Sequence, residues 1–382
     1  MSGATAEALH HDSHRRLLAS AAAPSVGLGE VDAIIVPTAR TAAHLQSAVE
    51  LAAKLRCTLV TLHSQRSSAA RLQAMADANC VDTVAVDMRF VRADVLPNFR
   101  TTSLLASTPF ARGKDTSSKR NLGLLLARLA GWQRVVFVDD DIRIADAQHL
   151  TDAVRLLHRF DGVGLTIAGF PDNSVVCHAH RKTGGDQDTF LGGGALAVNT
   201  SACDSFFPDV YNEDWFFLLD DTHLRPVATT RGVAFQRRFD PFATEDRARS
   251  EEFGDCLAEG LFYLLDQGKQ VQDANVEHWR AFLEDRRRFI SDILGRVDRA
   301  DLEPAERSRI KSALRAARER CSLITPELCV HYLTAWRVDR ARWRHHLDTH
   351  ASMVRRIGAP DIDNALAVLG FDRRQSRFLV RT

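Results

Sequence analysis

Two patterns of apolar and polar residues alternate along the first two thirds of the chain. Short continuous apolar runs, of the kind that buried strands have, are separated by stretches whose apolar residues recur every three or four positions, as on one face of a helix. The predicted strands lie at residues 31–37, 57–64, 81–88, 134–138, 162–170 and 195–200. Strand–helix–strand repetition requires right-handed crossovers, so the pattern predicts an α/β fold with a mostly parallel, Rossmann-like sheet.

The pattern changes near residue 245. From there the sequence consists of long, charged, amphipathic stretches of helical period with few strand signals. These stretches occupy residues 251–267, 277–294, 306–321 and 328–347. We therefore predict three parts: a flexible N-terminal tail over residues 1–30, an α/β domain over 31–245 and a helical C-terminal domain over 246–382. A homodimer formed through the helical domain is a further hypothesis.

Composition narrows the class of protein. The 382 residues carry a formal net charge of +1, so no overall field attracts nucleic acid or an anionic membrane. The seven cysteines form no C-x-x-C pair and are typical of small buried residues in a reducing compartment. The N-terminal residues lack a secretory apolar core, and no run reaches the roughly 18 apolar residues of a membrane-spanning helix. We expect a cytoplasmic chain without a transmembrane segment or a nucleic-acid partner.

Three consecutive aspartates, Asp139, Asp140 and Asp141, follow the buried run RVVFV. In open α/β sheets, ligands bind at the carboxyl ends of the strands, which is where these side chains stand. Carboxylates so close together repel and raise one another's pKa unless a positive charge lies between them. A D-x-D pair suits Mg²⁺ or Mn²⁺, which takes oxygen ligands together with a substrate phosphate. The alternative is a solvated turn, which aspartate also favours.

A second acidic pair, Glu213 and Asp214, enters a predicted helix, of which Asp220 and Asp221 are the expected exposed end. Acidic residues in a first helical turn are often only partners of the helix dipole. The glycines at 192–194, some twenty residues earlier, either let the backbone approach a ligand closely or make a turn. Together the glycines and the acidic pair indicate a second part of the same site.

His178 and His180 stand two residues apart. If they lay on a strand they would share a face, and a metal site would be conceivable. We prefer a mobile loop with incidental histidines, because a histidine is more often a structural residue than a ligand.

The order of these motifs resembles that of the GT-A glycosyltransferases, especially those of family 2. IIVPTAR is similar to their opening strand and loop, KRNLGLLLARLAGWQRVVFVDDD to their helix and D-x-D strand, and GGGALAVNTSACDSFFPDVYNEDWFF to their glycine turn and E-D helix. The resemblance covers residues 31 to about 245. It implies transfer of a sugar from a UDP-, GDP- or dTDP-sugar to the hydroxyl of an unidentified acceptor, with Mn²⁺ or Mg²⁺ as cofactor.

The resemblance also implies roles for individual residues. Asp141 would bind the cation directly, Asp139 would lie near the ribose or the cation, and Asp214, beside Glu213, would take the proton of the acceptor hydroxyl. The residues implied in donor binding are Pro37, Thr38, Arg40, Lys119, Arg120, Asn121, Asp139, Asp140, Gly193 and Gly194, with Lys114 in the same region. For Lys114 and Lys119 a solvated helix start is an equal alternative.

Two departures and two other functions stay open at this point. The second strand ends in LHSQRSS, where relatives often have an aspartate that contacts the base, so the identity of the nucleotide is open. Many relatives place a further histidine ligand on the strand after the E-D helix, where this chain has Gln236, with His223 in the preceding loop. A strand that ends in D-x-D also occurs in haloacid dehalogenase-like phosphatases, whose first aspartate is a nucleophile. Here three predicted strands precede the motif, which disfavours that reading. The remaining alternative is a nucleotide-sugar-binding protein without catalysis.

Overall fold

The computed structural model describes residues 10–22, 29–171 and 173–371, and in them a mixed α/β structure around one sheet of nine strands. The strand order is β1-β9-β7-β8-β5-β2-β3-β4, with the short β6 paired to β9. The strands are β1 Ala19–Ser20, β2 Ala33–Thr38, β3 Thr58–His63, β4 Thr83–Asp87, β5 Arg134–Val138, β6 Ile142–Arg143, β7 Gly162–Gly169, β8 Ala195–Asn199 and β9 Val227–Gln236. The sheet is mostly parallel, which confirms the predicted α/β class with a mostly parallel sheet.

Twelve α-helices flank or extend this sheet within the described residues. They are α1 Gln46–Leu55, α2 Ala69–Ala78, α3 Arg100–Leu105, α4 Thr116–Leu129, α5 Gln148–Arg155, α6 Val175–Lys182, α7 Glu213–Phe217, α8 Glu245–Asp266, α9 Val276–Arg299, α10 Pro304–Ser322, α11 Pro326–Ile357 and α12 Ile362–Val368. The four long helical stretches of the sequence become α8 to α11. None of the described helices is both long and apolar enough to cross a membrane.

One strand runs against the rest of the main sheet and brings the two predicted motifs together. β8 is antiparallel to both of its neighbours, β5 and β7. Its first residue therefore lies beside the last residue of β5, and the Asp139 N–H donates to the Gly194 carbonyl over 3.1 Å. The glycine turn and the aspartates meet at one edge of the sheet because of this reversal, although 50 residues separate them in sequence.

The C-terminal helices share their hydrophobic core with the sheet. Trp279, Trp336 and Trp343 are fully buried and belong to the same apolar cluster as Phe137 of β5. Phe216 of α7 packs edge-on against Trp336, with 5.6 Å between the ring centroids. The C-terminal helices thus pack against the sheet and against α7. The division of the chain into two domains at residue 245 stays a prediction.

The N-terminal segment differs from the expected flexible tail over residues 10–22. Its β1 extends the sheet by pairing in parallel with β9, and His14 is buried between the carboxylates of Glu259 and Asp266 on α8. Ion pairing with α8 holds this polar segment in place, a contact that its own sequence pattern does not show. Residues 1–9 and 23–28 of the predicted tail lie outside the described residues.

Close packing between α8 and the loop before α7 gives the first prediction. A Cβ on Gly254 would lie 2.2 Å from the Tyr211 carbonyl oxygen, whereas a Cβ on Gly295 of α9 would meet nothing within 4 Å. We expect Gly254→Ala to lower the free energy of unfolding, because α8 must move away from the Tyr211 backbone. Gly295→Ala should instead raise it by roughly 0.5–1 kcal/mol, through helix propensity alone. Urea unfolding measures both, and equal effects would contradict the packing argument.

Candidate active site

A cavity of about 710 Å³ opens at the edge of the sheet where β5 ends and β8 begins. It is lined by both predicted acidic motifs and by side chains of α6, α7 and α8. Of the predicted site residues, those that line it are Arg40, Lys114, Arg120, Asp139, Asp141, Gly194, Glu213 and Asp214. The fold thus brings the motifs of the first and the second half of the α/β region to one place.

Asp140 and Asp141 are held by side chains from β2 and the loop after it. Thr38 Oγ1 donates to Asp140 Oδ2 over 2.8 Å, and Arg40 donates to Asp140 Oδ1. The second guanidinium nitrogen of Arg40 donates to Asp141 Oδ2 over 3.0 Å. Asp140 is buried beneath the site, so it anchors Arg40, while Asp139 and Asp141 remain partly exposed to the cavity.

Arg120 on α4 joins the two acidic motifs. One of its terminal nitrogens donates to both oxygens of Asp139, over 2.9 and 3.0 Å, and the other donates to Glu213 Oε1 over 2.9 Å. The guanidinium is buried and lies over the Phe207 ring. A Cβ on Gly193 would stand 2.6 Å from this guanidinium, so the glycine turn is shaped to admit it.

Glu213 and Asp214 are neighbours in sequence with different surroundings. Glu213 is buried and accepts from Arg120 and, over 3.4 Å, from Arg112. Asp214 accepts from the backbone N–H groups of Gly193, over 2.6 Å, and Trp215. Enclosure by protein, and then the charge of Glu213, raise the pKa of Asp214 to about 6 despite Arg120. Asp214 is therefore a carboxylate poised to exchange a proton near neutral pH.

The carboxyl groups around Asp141 are not fully balanced by arginine. Burial, and then the charge of Asp139, raise the pKa of Asp141, although Arg40 acts in the opposite direction. Gln236, at the end of β9, also lines the cavity, and its buried Oε1 has no hydrogen-bond partner among the described residues. An unpartnered amide oxygen and two carboxylates that line one cavity offer the oxygen ligands that a hard divalent cation takes. The residues present fit the expected Mn²⁺ or Mg²⁺.

Besides Thr38, Asp140 and Gly193, three predicted donor-binding residues do not line the cavity. Pro37 is buried within β2. Lys119 Nζ donates to the Thr38 carbonyl over 2.8 Å and to Ser64 Oγ over 2.7 Å, and so ties the ends of β2 and β3 together. The Asn121 side chain exchanges two hydrogen bonds with the Phe207 backbone. These contacts position the strand ends, while direct contact with a donor stays a prediction for all three.

Two smaller expectations are corrected by the structure. His178 and His180 lie on α6 and are buried, not on a strand or in a mobile loop. On a helix, residues two apart point in different directions, and burial lowers the pKa of His178 to about 3. The helix that begins at Glu213 ends at Phe217, so Asp220 and Asp221 lie beyond it, and Asp221 pairs with Arg340 of α11.

Sequence reasoning missed the basic and aromatic side chains that enclose the Glu213 end of the cavity. Arg112 donates to the Val210 carbonyl beside Glu213, and Arg247 of α8 lies over the Phe239 ring. Trp215 also lines the cavity, directly after Asp214. Only Trp215 carried a usable signal, its place next to the acidic pair, because the arginines come from distant segments.

Comparison with known proteins leaves this chain without an assigned family. No family model matches it, and no curated protein matches it. Matches among solved structures include a mycobacterial protein, at 14% identity over 62% of this chain and 73% of that one, with a TM-score of 0.37. They also include the mannosyltransferase PcManGT from Pyrobaculum calidifontis, solved with GDP-Man and Mn²⁺, at 13% identity over 94% and 90% of the chains, with a TM-score of 0.39. TM-scores this low carry no argument about fold or function.

The Arg120 bridge gives the second prediction. Arg120→Met leaves Asp139 and Glu213 without their shared cation, so the free energy of unfolding should fall by about 3–5 kcal/mol. Arg128→Met is the matched control, because Arg128 lies on the same helix, is partly exposed and makes one 3.2 Å hydrogen bond to the Thr200 carbonyl. Denaturant unfolding measures both. A cost for Arg120→Met no larger than that of the control would contradict the bridge.

The raised pKa of Asp214 gives the third prediction. The folded state keeps this proton up to about pH 6, whereas an aspartate in the unfolded chain has its ordinary pKa of 3.8. The resulting stability is therefore present in full below about pH 4 and is lost as pH rises through 6. Asp214→Asn removes this dependence, so the melting temperature of the variant relative to wild type should rise between pH 4.5 and pH 7.5. An Asp292→Asn control on the exposed face of α9 should show no such trend.

Proposed function

We propose that this chain is a glycosyltransferase that moves a sugar from a nucleotide-diphosphate donor to an acceptor hydroxyl, with a divalent cation at Asp141. One observation carries the proposal: the strand-end aspartates and the Glu213–Asp214 pair line one cavity and are joined by Arg120. Phosphate binding through a cation and proton removal from a hydroxyl need two separate acidic groups at this short range.

The cation end of the cavity consists of Asp139, Asp141 and Gln236. Asp141 offers Oδ1, because Arg40 contacts Oδ2, and Gln236 offers its unpartnered amide oxygen. The chemistry that a bound cation supplies is neutralisation of the charge that develops on the leaving diphosphate. Arg40 adds a fixed positive charge on the same side and keeps the Asp141 carboxylate oriented.

The acceptor end is built around Asp214. The N–H groups of Gly193 and Trp215 fix its carboxylate, and its pKa of about 6 leaves it ionised at neutral pH and still basic enough to take a hydroxyl proton. Glu213 does not fit this role, because two arginines occupy its oxygens. Asp214 is therefore the base in this proposal, and Glu213 is the residue that positions Arg120.

The phosphatase alternative requires Asp139 as a nucleophile. Both of its oxygens accept hydrogen bonds from the buried Arg120, which lowers their nucleophilicity and restricts their approach to a phosphorus atom. The Asp214 end of the cavity would also have no task in that reaction. These contacts favour the transferase over the phosphatase.

The fourth prediction tests donor binding. UDP-, GDP- and dTDP-sugars, each with and without Mn²⁺ or Mg²⁺, are added to the wild type, and the melting temperature is measured. One nucleotide should stabilise the protein only when the metal is present, by about 2.7 kcal/mol at a hundred times its Kd. Asp141→Asn should abolish this shift, whereas Asp214→Asn should keep it and lose sugar transfer, because base catalysis contributes roughly 10²–10⁴-fold in rate.

The exposed Asp292→Asn serves as the control and should behave as the wild type in both assays. A metal-dependent shift that persists in Asp141→Asn would show that the cation does not bind at Asp141. Release of phosphate from a generic phosphomonoester, with no donor-dependent shift in melting temperature, would reject the transferase function in favour of the phosphatase function. Donor binding without transfer to any acceptor in the wild type would support the non-catalytic alternative.

A further inference from the structure

Two imidazole rings of the N-terminal segment converge on one carboxylate oxygen at the end of α8. His11 Nε2 lies 2.5 Å from Asp266 Oδ2, and His14 Nδ1 contacts the same oxygen. The three ligand atoms all lie within 4.8 Å of one another. Asp266 is the last residue of α8, where the helix carbonyls carry partial negative charge, so a cation is favoured at this point.

The hydrogen bonds of His14 need a positive charge between the ring and Asp266. His14 Nε2 lies 3.0 Å from Glu259 Oε2, on the side of the ring away from Asp266. A neutral imidazole has one N–H. When that N–H points to Glu259, the lone pair of Nδ1 faces the Asp266 carboxylate, and His11 directs a second ring nitrogen at the same oxygen. A proton on Nδ1 meets this need, and so does a metal ion that both rings and the Asp266 carboxylate bind together.

The surrounding residues match the outer shell of a metal site. Glu259 holds the far nitrogen of His14, as carboxylates commonly do for metal-bound histidines. Arg16 Nε donates to the other oxygen of Asp266 over 2.7 Å and so leaves Oδ2 toward the histidines. The His11 side chain is 25% exposed, which leaves an open side for entry of the ion and for a bound water.

We propose that His11, His14 and Asp266 form a binding site for a transition-metal ion of the Zn²⁺ class, distinct from the cation site at Asp141. Two imidazoles and one carboxylate, with water in the fourth position, are a ligand set that zinc takes. Zinc–ligand bonds of about 2 Å place ligand atoms roughly 3 Å apart, so the His11 and His14 rings both move slightly away from Asp266 Oδ2 when the ion binds.

The proposed metal site is connected through one aromatic contact to α7, the helix that carries Asp214. The His14 ring packs edge-on against Trp215, with 5.5 Å between centroids, and Trp215 follows Asp214 directly. The same ring also packs against Phe262 of α8. A bound ion therefore fastens residues 10–16 to α8 and fixes the aromatic side chain next to Asp214. The site itself does not depend on the proposed transfer reaction.

The test is a calorimetric titration of metal-stripped protein with Zn²⁺. We expect one equivalent to bind to the wild type and His11→Ala to weaken binding at least a hundredfold, with Asp266→Asn acting in the same direction. His158→Ala, which removes an exposed histidine that is not part of this cluster, should bind as the wild type does. Asp141→Asn should also retain this zinc site, which separates it from the donor cation.

Two further measurements make the result decisive. Co²⁺ in place of Zn²⁺ should give the visible absorption of a four-coordinate site in the wild type and not in His11→Ala. Zinc should raise the melting temperature of the wild type and leave that of His11→Ala unchanged, while melting of the metal-free variant verifies that it folds. Equal zinc affinity in the wild type and His11→Ala, or no binding by either, overturns the proposal.

Discussion

The ion pairs of Arg120 with Asp139 and Glu213 are the interaction on which the site depends. Two acidic motifs from different parts of the chain cannot share a cavity unless a fixed positive charge separates them. A buried arginine with one nitrogen directed to each motif meets this requirement, and its planar fork sets their spacing. The glycine turn before β8 follows from the same constraint, because a side chain at Gly193 would occupy the space of the guanidinium.

The fold supplies the positions that this interaction needs. Asp139 directly follows β5, Arg120 lies on α4, the helix that precedes β5, and Glu213 is the first residue of α7. The antiparallel β8 returns the chain to the same edge and places Gly193 N–H against Asp214. Of the long C-terminal helices, α8 lines the Asp214 end of the cavity, and its Gly254 lies against the backbone just before α7.

The carboxylates that line or support the cavity look alike in the sequence but have different surroundings in the structure. Asp140 is buried and orients Arg40, Asp141 faces the cavity, Glu213 holds two arginines and Asp214 keeps an elevated pKa. In the proposed function, the partly exposed Asp141 and Asp214 carry the chemistry, while the buried Asp140 and Glu213 hold the arginines in place. The N-terminal histidines add a second polar cluster on the other side of Trp215, linked to the first through that ring.

The sequence by itself determined six of the nine described strands, the long helices and the two acidic motifs, because hydrophobic period and strand-end carboxylates are local signals. It also indicated that a positive charge must accompany the three aspartates. Only the tertiary structure decided which charge this is: Arg40 and Arg120 were expected to face the donor, and both also pair with the aspartates. The docking of residues 10–22 onto α8, the burial of His178 within α6 and the unpartnered oxygen of Gln236 likewise depend on contacts between distant segments, which no local pattern records.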